Sequence, residues 1–310
     1  MSRRVDTLGF VGVTATHSSI NQVFPRWARV LGLDDVAFEP IELPLDARPE
    51  VYRAILAEMR ADEHFRGALV TTHKVRLLEA ARDMFEELDR YAALLGEVSS
   101  ISKRDGCLIG HAKDPITAGR ALEEFLPERH FARTEGAVLC IGAGGAGLAI
   151  AVYLLTEHAS TDRPSRLILV ARSEHRLEAC RRALASLGVV DGVAYVCNAA
   201  EQGNDEIMTG LPPGSLVINA TGMGKDRPGS PLTDGGRFPA EGLVWELNYR
   251  GDLRFLEQAR RQKAGRSLRI EDGWRYFVHG WSAVIAEVFG LEIDAPTLER
   301  LSVEAEAERV

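Results

Sequence analysis

Cysteine is scarce in this chain of 310 residues, and what there is does not suggest cross-links or metal. Cys107, Cys140, Cys180 and Cys197 form no C-x-x-C pair and no zinc-like spacing with histidine. They read as free thiols in a reducing, cytoplasmic compartment, and no metal site is expected. Long apolar runs are missing too. No stretch reaches the roughly 18 residues of a membrane span, and the basic start, Met1 to Asp6, lacks the apolar segment of a signal peptide. Surplus positive charge is the third absence. The net charge is −8, so the chain repels a nucleic-acid backbone and a small molecule is the expected partner. There are no internal repeats and no low-complexity tracts. Trp27, Trp245, Trp274 and Trp281 have no basic stripe beside them and read as core or cleft lining.

What is present is α/β alternation in two runs. "TLGFVGVT" (7–14), "VAFEPIEL" (36–43) and "GALVTT" (67–72) read as strands separated by amphipathic helices around Val23–Leu31 and Tyr52–Met59. Asp105-Gly106 then signals a hairpin, and a helix from about Thr117 leads away. The second run opens at Gly136 and continues through strands at 166–173, 193–196, 215–221 and 243–249. The pattern predicts an N-terminal α/β substrate-binding domain, residues 1–117, completed by C-terminal helices in 273–310. A doubly wound parallel (Rossmann) domain is predicted at 118–272, with the active site in the cleft between the two.

The most specific motif is V-L-C-I-G-A-G-G-A-G, residues 138–147. Gly142, Gly144 and Gly147 stand in G-x-G-x-x-G spacing, after an apolar strand and before an apolar helix. Gly142 permits the turn, Gly144 lets backbone approach a pyrophosphate, and Gly147 lets the helix lie on the sheet; Gly145 and Ala146 contribute helix N-terminal amides. A purely structural glycine turn is the bland alternative. At the end of the next strand, where NAD sites carry a carboxylate, stand Ala171-Arg172-Ser173, with Arg176 a helical turn on. Guanidinium and hydroxyl suit a 2′-phosphate, so NADP is the expected cofactor. Glu174 dissents, and a solvated arginine face is the alternative.

In the first half, Lys74 ends an apolar strand beside Thr71, Thr72 and His73, and Asp114 sits in G-H-A-K-D before a helix. A lysine and an aspartate can hold a hydroxyl and relay its proton, but spacing alone does not pair them. A surface lysine and a helix N-cap are the ordinary readings. His17, just before Ser18, has two readings: a ligand contact or, more commonly for such a residue, one that fixes the loop by a backbone hydrogen bond.

Several motifs, in order, resemble the shikimate/quinate dehydrogenase family. G-x-x-x-x-H-S (Gly12 to Ser18) resembles its substrate-carboxylate loop, "GALVTTHK" its G-x-N-V-T-x-P-x-K segment, "LLGEVSSI" its I-G-A-V-N-T segment and "GHAKDPITAG" its G-x-N-T-D-x-x-G segment. "GAGGAG", "ARSEHR", "INATGMG" and "WELNYRGDLRFLEQA" match its cofactor half more closely. The resemblance implies an NADP-dependent oxidoreductase of aromatic amino acid biosynthesis, interconverting shikimate and 3-dehydroshikimate or acting on a related cyclic polyol carboxylate, as a monomer or homodimer. It implies Lys74 and Asp114 as the catalytic pair. Ser18, Thr71, Ser99, Tyr249 and His279 would face substrate, and Asn219, Ala220, Thr221 and Met223 would border the nicotinamide and its ribose.

Departures gather in the substrate half. The family's second carboxylate-binding serine falls on Ile20, beside Ser19. Its A-V-N-T asparagine is Ser99 and the alanine is Glu97. The asparagine and threonine before Asp114 are Ala112 and Lys113. "LVTTHK" is one residue short, so Thr71 or Thr72 replaces the threonine. Gly280 stands at a glutamine position, with His279 beside it. Losing several donors argues against unaltered shikimate recognition, and Glu97 and Lys113 can answer a different charge pattern. A same-fold dehydrogenase for a non-shikimate cyclitol, aminated or carboxyl-free, and a catalytically silent NADP-binding sensor are the alternatives.

Overall fold

The computed structural model describes residues 5–225 and 227–309. It divides into two compact units: residues up to Lys113 together with those from Val278 onward, and Asp114–Phe277.

The first unit runs β1 (Asp6–Gly12), α1 (Ile20–Leu31), β2 (Val36–Glu42), α2 (Pro49–Ala61), β3 (Phe65–Val70), α3 (Lys74–Ala81), β4 (Glu87–Leu88), α4 (Arg90–Leu95), β5 (Ser100–Arg104) and β6 (Cys107–His111). The strand order is β2-β1-β3-β5-β6-β4. The first three strands are parallel, and β5 and β6 are antiparallel additions. The hairpin read from Asp105-Gly106 is present, with both residues at positive φ, 51° and 79°, as a two-residue turn of matching twist requires.

The second unit contains α5 (Asp114–Glu123), α6 (His130–Thr134), β7 (Val138–Ile141), α7 (Gly145–Val152), β8 (Leu167–Ala171), α8 (Glu174–Ser186), β9 (Val193–Cys197), α9 (Glu201–Thr209), β10 (Leu216–Asn219), β11 (Leu243–Glu246), α10 (Arg254–Arg266) and β12 (Arg269–Glu271). Its all-parallel sheet has the order β12-β11-β10-β7-β8-β9, the doubly wound arrangement. Strands β7, β8, β10 and β11 are buried along their whole length, which is why they read as continuous apolar runs. One face packs Leu139, Ile141, Val170, Val217 and Val244 against Met208 of α9 and Phe255 and Ala259 of α10. Asp114 opens α5 rather than lying in a preceding loop.

The chain ends with α11 (Trp274–Phe289) and α12 (Ala295–Glu306). Trp281 of α11 meets Phe10 edge-on at 4.9 Å. Helix α12 packs on α1, where the fully buried Trp27 donates its indole N–H to the Leu301 carbonyl at 2.7 Å. Among the described residues, no helix is long and apolar enough to cross a membrane.

Candidate functional site

The glycine turn follows β7. Gly142 has φ +115°, and a Cβ there would lie 2.5 Å from the Ala220 carbonyl carbon and 2.9 Å from the Thr221 nitrogen. No other residue fits this turn. A Cβ on Gly147 would strike the Gly142 carbonyl, so α7 starts pressed against the turn it follows. Gly144 differs from both. The nearest atom to a Cβ there is Arg176 Nη1, 3.9 Å away. The first intrahelical bond runs from Leu148 N–H to the Gly144 carbonyl at 2.9 Å, no side chain caps the helix and no acid lies in its first turn. The amides of Gly145, Ala146 and Gly147 thus form an uncapped helix N-terminus, the electropositive surface that binds phosphate. This turn and Ala220-Thr221 meet between β7 and β10, where the strand order reverses, which is where doubly wound sheets bind dinucleotides.

The residues after β8 complete this half. Ser173 precedes α8 with extended backbone and a hydroxyl that makes no cap bond to the helix. Arg172 and Arg176 are exposed, and Arg176 reaches the glycine turn from α8. Glu174 is exposed at the first position of α8, where the helix dipole favours an acid.

The loop after β10 rests on a buried polar network. Asn219 accepts at Oδ1 from Thr221 N (3.1 Å) and Thr221 Oγ1 (2.6 Å). Its Nδ2 donates to Glu246 Oε2 (2.7 Å) and the Met223 carbonyl (3.2 Å). Thr221 Oγ1 in turn accepts from Met223 N at 3.1 Å. Asn219 is fully buried, so its side chain holds the loop in shape from within. Glu246, at the end of β11, is also fully buried. It accepts from Asn248 N (2.8 Å) and Asn248 Nδ2 (2.7 Å). Burial pushes its carboxyl up to about 7, against the opposing pull of these hydrogen bonds. Motif reading passed over Glu246 and Asn248; the signal was an acid inside an otherwise apolar strand. Tyr249 packs its ring on Trp274 (5.5 Å) and Phe277 (4.9 Å).

In the first unit, the Gly12–Ser18 loop makes a turn of 3₁₀ helix, Ala15–His17, before α1. Thr16 fixes it by giving its N–H (3.2 Å) and hydroxyl (2.6 Å) to Glu42 Oε2 at the end of β2. Asn21 Nδ2 adds bonds to the carbonyls of Ala15 (2.8 Å) and Ser18 (2.9 Å). These two residues, not the exposed His17 side chain, tie the loop down, and neither was singled out from the sequence. Ser18 and Ser19 are half-buried, whereas Ile20 is fully buried in the core.

Thr71 lies against this loop: a Cβ on Gly12 would sit 2.9 Å from its methyl group. Thr72 takes φ +52°, a strained conformation for a β-branched residue. His73 is buried and held on both sides, by Tyr52 OH at Nδ1 (2.8 Å) and by the Leu43 carbonyl at Nε2 (3.2 Å). The carbonyl can only accept, so Nε2 carries the proton and Nδ1 accepts from the tyrosine. Burial holds this imidazole below its ordinary pKa, in keeping with the neutral form. Lys74 follows as the half-buried first residue of α3, and its carbonyl accepts from Val98 N at 3.2 Å.

Ser99 is buried, and its hydroxyl accepts from Lys113 N at 2.8 Å. It therefore shapes the segment that ends at Lys113, immediately before Asp114. The Lys113 ammonium pairs with Glu287 of α11 at 2.7 Å, and Glu97 is buried. His279 is buried and its carbonyl accepts from Ser282 Oγ at 3.2 Å. Lys74 and Asp114 fall in different units. Among the described residues, no group of three or more His, Cys, Asp or Glu side chains is placed to hold a metal ion.

No family model matches the chain. It is 29% identical over 269 residues to a protein of Moorella thermoacetica named shikimate dehydrogenase (NADP(+)), covering 86% of this chain and 83% of that one. Its fold is similar to that of quinate dehydrogenase from Corynebacterium glutamicum in complex with NAD (TM-score 0.74, 22% identity, 98% and 99% of the two chains covered). It is also similar to that of shikimate 5-dehydrogenase from Thermus thermophilus in complex with NADP(H) and shikimate (TM-score 0.71, 24% identity, 97% and 99% covered). Taken with the glycine turn and the ordered series of motifs, the chain is similar over most of its length to proteins named shikimate dehydrogenase and shares the fold of shikimate and quinate dehydrogenases.

Proposed function

We propose that this protein is an NADP-dependent oxidoreductase that interconverts a hydroxyl and a ketone on a cyclic polyol, shikimate/3-dehydroshikimate or a relative. The observation that carries the cofactor half is the open face of Gly144, with an uncapped helix N-terminus on one side and the Arg176 guanidinium on the other. Gly142, Gly144 and the amides of Gly145, Ala146 and Gly147 would hold the pyrophosphate. Arg172, Ser173 and Arg176 would hold the 2′-phosphate, and Ala220, Thr221 and Met223 would border the nicotinamide. The cofactor, when bound, supplies the hydride chemistry. By family resemblance Lys74 and Asp114 bind the reacting hydroxyl and handle its proton, and Ser18, Thr71, Tyr249 and His279 are proposed to meet substrate. Steady-state assays with NADP and shikimate or quinate test this reading. Turnover that disappears in Lys74→Ala supports it. Tight NADPH binding without turnover on any cyclitol overturns the enzyme assignment. NADPH affinity unchanged in both Arg172→Ala and Arg176→Ala overturns the NADP assignment.

A second reading, a non-shikimate cyclitol as substrate, is favoured by Glu42. Its carboxylate occupies the hydroxyl and N–H of Thr16 in the loop that resembles a carboxylate clamp. With Ile20 buried at the start of α1 and the Ser99 hydroxyl, before β5, bound to backbone, the first unit is better suited to a substrate lacking the carboxylate.

A further inference from the structure

Glu246 lies inside the segment "WELNYRGDLRFLEQA" but has been given no role, yet it is a fully buried acid one strand away from the switch point. Such a group is costly to bury unless its acceptors are satisfied. Here three N–H groups face its two oxygens: Asn219 Nδ2 at one, and Asn248 N and Nδ2 at the other. Both asparagines then converge on one atom. The Met223 carbonyl accepts from Asn219 Nδ2 at 3.2 Å and from Asn248 Nδ2 at 2.9 Å. Neither amide can turn over. Flipping Asn219 would put its NH2 against the Thr221 donors, and flipping Asn248 would remove its bond to Met223.

We propose that Glu246 is a positioning residue for the nicotinamide end of the cofactor, acting through Asn219 and Asn248 to fix the Thr221–Met223 loop. The proposal rests on the dinucleotide reading given above. Once ionised, above its raised value of about 7, the group suits this place because a carboxylate only accepts. A glutamine would turn its own NH2 toward Asn219 or Asn248, donor against donor, and release one of the two anchors of Met223. The phosphate-binding turn follows β7 and touches Ala220-Thr221, but none of the network's side-chain hydrogen bonds reaches it, and Arg172, Ser173 and Arg176 follow β8, away from the network. Loss of Glu246 should therefore weaken the hold on the nicotinamide and spare the hold on the phosphorylated adenosine.

Calorimetric titration at pH 8 of the full-length wild type and Glu246→Gln with NADPH and with 2′,5′-ADP, which lacks the nicotinamide, tests the split. The expected result is NADPH affinity lower by about tenfold, the scale of one hydrogen bond to a charged group. The affinity for 2′,5′-ADP should be unchanged, and the fluorescence gain of bound NADPH should shrink. Asn248→Ala removes the other anchor of Met223 and should give the same split, which also covers the case that Glu246→Gln does not fold. Equal losses for both ligands would show a general structural role and overturn the proposal, as would no loss for either. A wild type that binds neither ligand removes the dinucleotide reading itself, and the positioning role with it.

Discussion

The two halves of this chain use their polar groups differently. In the second unit the groups at the glycine turn are left open: an uncapped helix start, a Gly144 face with Arg176 as its nearest neighbour, and the Ser173 hydroxyl free of any cap bond. In the first unit, several groups in the segments that resemble the family's substrate-binding motifs are tied to the protein itself. Ser99 holds Lys113 N, Lys113 pairs with Glu287, and Thr16 holds Glu42. A pyrophosphate makes the same demand in every dinucleotide enzyme, and backbone geometry answers it, so the sequence there has little freedom. A substrate is met by side chains, and side chains that turn inward leave the fold intact while altering what is recognised.

The largest expected effect probes the side of this comparison that rests on resemblance. Lys74→Ala should lower kcat by about 10²–10⁴-fold, the range of general acid–base contributions. NADPH affinity, measured by titration, should be unchanged. A parallel fall in NADPH affinity would mean that the lysine serves the cofactor half, and the contrast between the halves would break. Next in size is Arg176→Ala. Loss of a charge-assisted phosphate contact is worth about 1.5–3 kcal/mol, so NADPH should bind about 10–100-fold more weakly while NADH binding stays level. Equal weakening of both would place Arg176 at the pyrophosphate instead.

A smaller effect concerns stability. The Glu246 carboxyl is raised from 4.5 to about 7, chiefly by burial, with the Asp272 charge adding to the shift. Between those values the folded protein keeps a proton that the unfolded chain releases. Its contribution is therefore greatest below the lower value and is lost as pH rises through the window. Thermal unfolding followed from pH 5 to 7.5 should show the wild-type midpoint falling relative to that of Glu246→Gln; the buried His73, His111 and His130, held below their ordinary values, pull both proteins the other way alike. Parallel profiles would assign the pH dependence to other groups.

Much of the second unit was legible because its signals are local. A glycine at φ +115° and a helix start free of caps are properties of ten consecutive residues, 138–147. The Asp105-Gly106 hairpin is local in the same way. The Glu246 network was not legible, because Asn219, Met223, Glu246 and Asn248 come together only once β10 and β11 pair. The same holds for Thr16 and Glu42, joined through the pairing of β1 and β2, and for His73, whose partners Tyr52 and Leu43 come from other elements. Helix α10 was hidden for a different reason. "RFLEQARRQKAGR" is largely charged, and a narrow stripe of Phe255, Leu256, Gln258 and Ala259 buries it.

The smallest expected effect decides how far the first half has diverged. Glu42 is exposed, and its carboxyl is held below the usual range chiefly by the Thr16 hydroxyl, so it is anionic at neutral pH. An exposed charge is screened by solvent and salt, so its influence on a bound carboxylate is modest. Glu42→Gln removes the charge while its amide oxygen can still accept from Thr16. If the loop's own acid turns carboxylates away, shikimate should bind the variant a few-fold more tightly than wild type, and the gain should shrink as salt is raised. A carboxyl-free cyclitol should show no such gain. If shikimate binds both forms equally at low salt, the Thr16–Glu42 pair is a loop fastener alone, and a change of substrate has to be sought at the other departures, Ile20, Glu97, Ser99 and Lys113 among them.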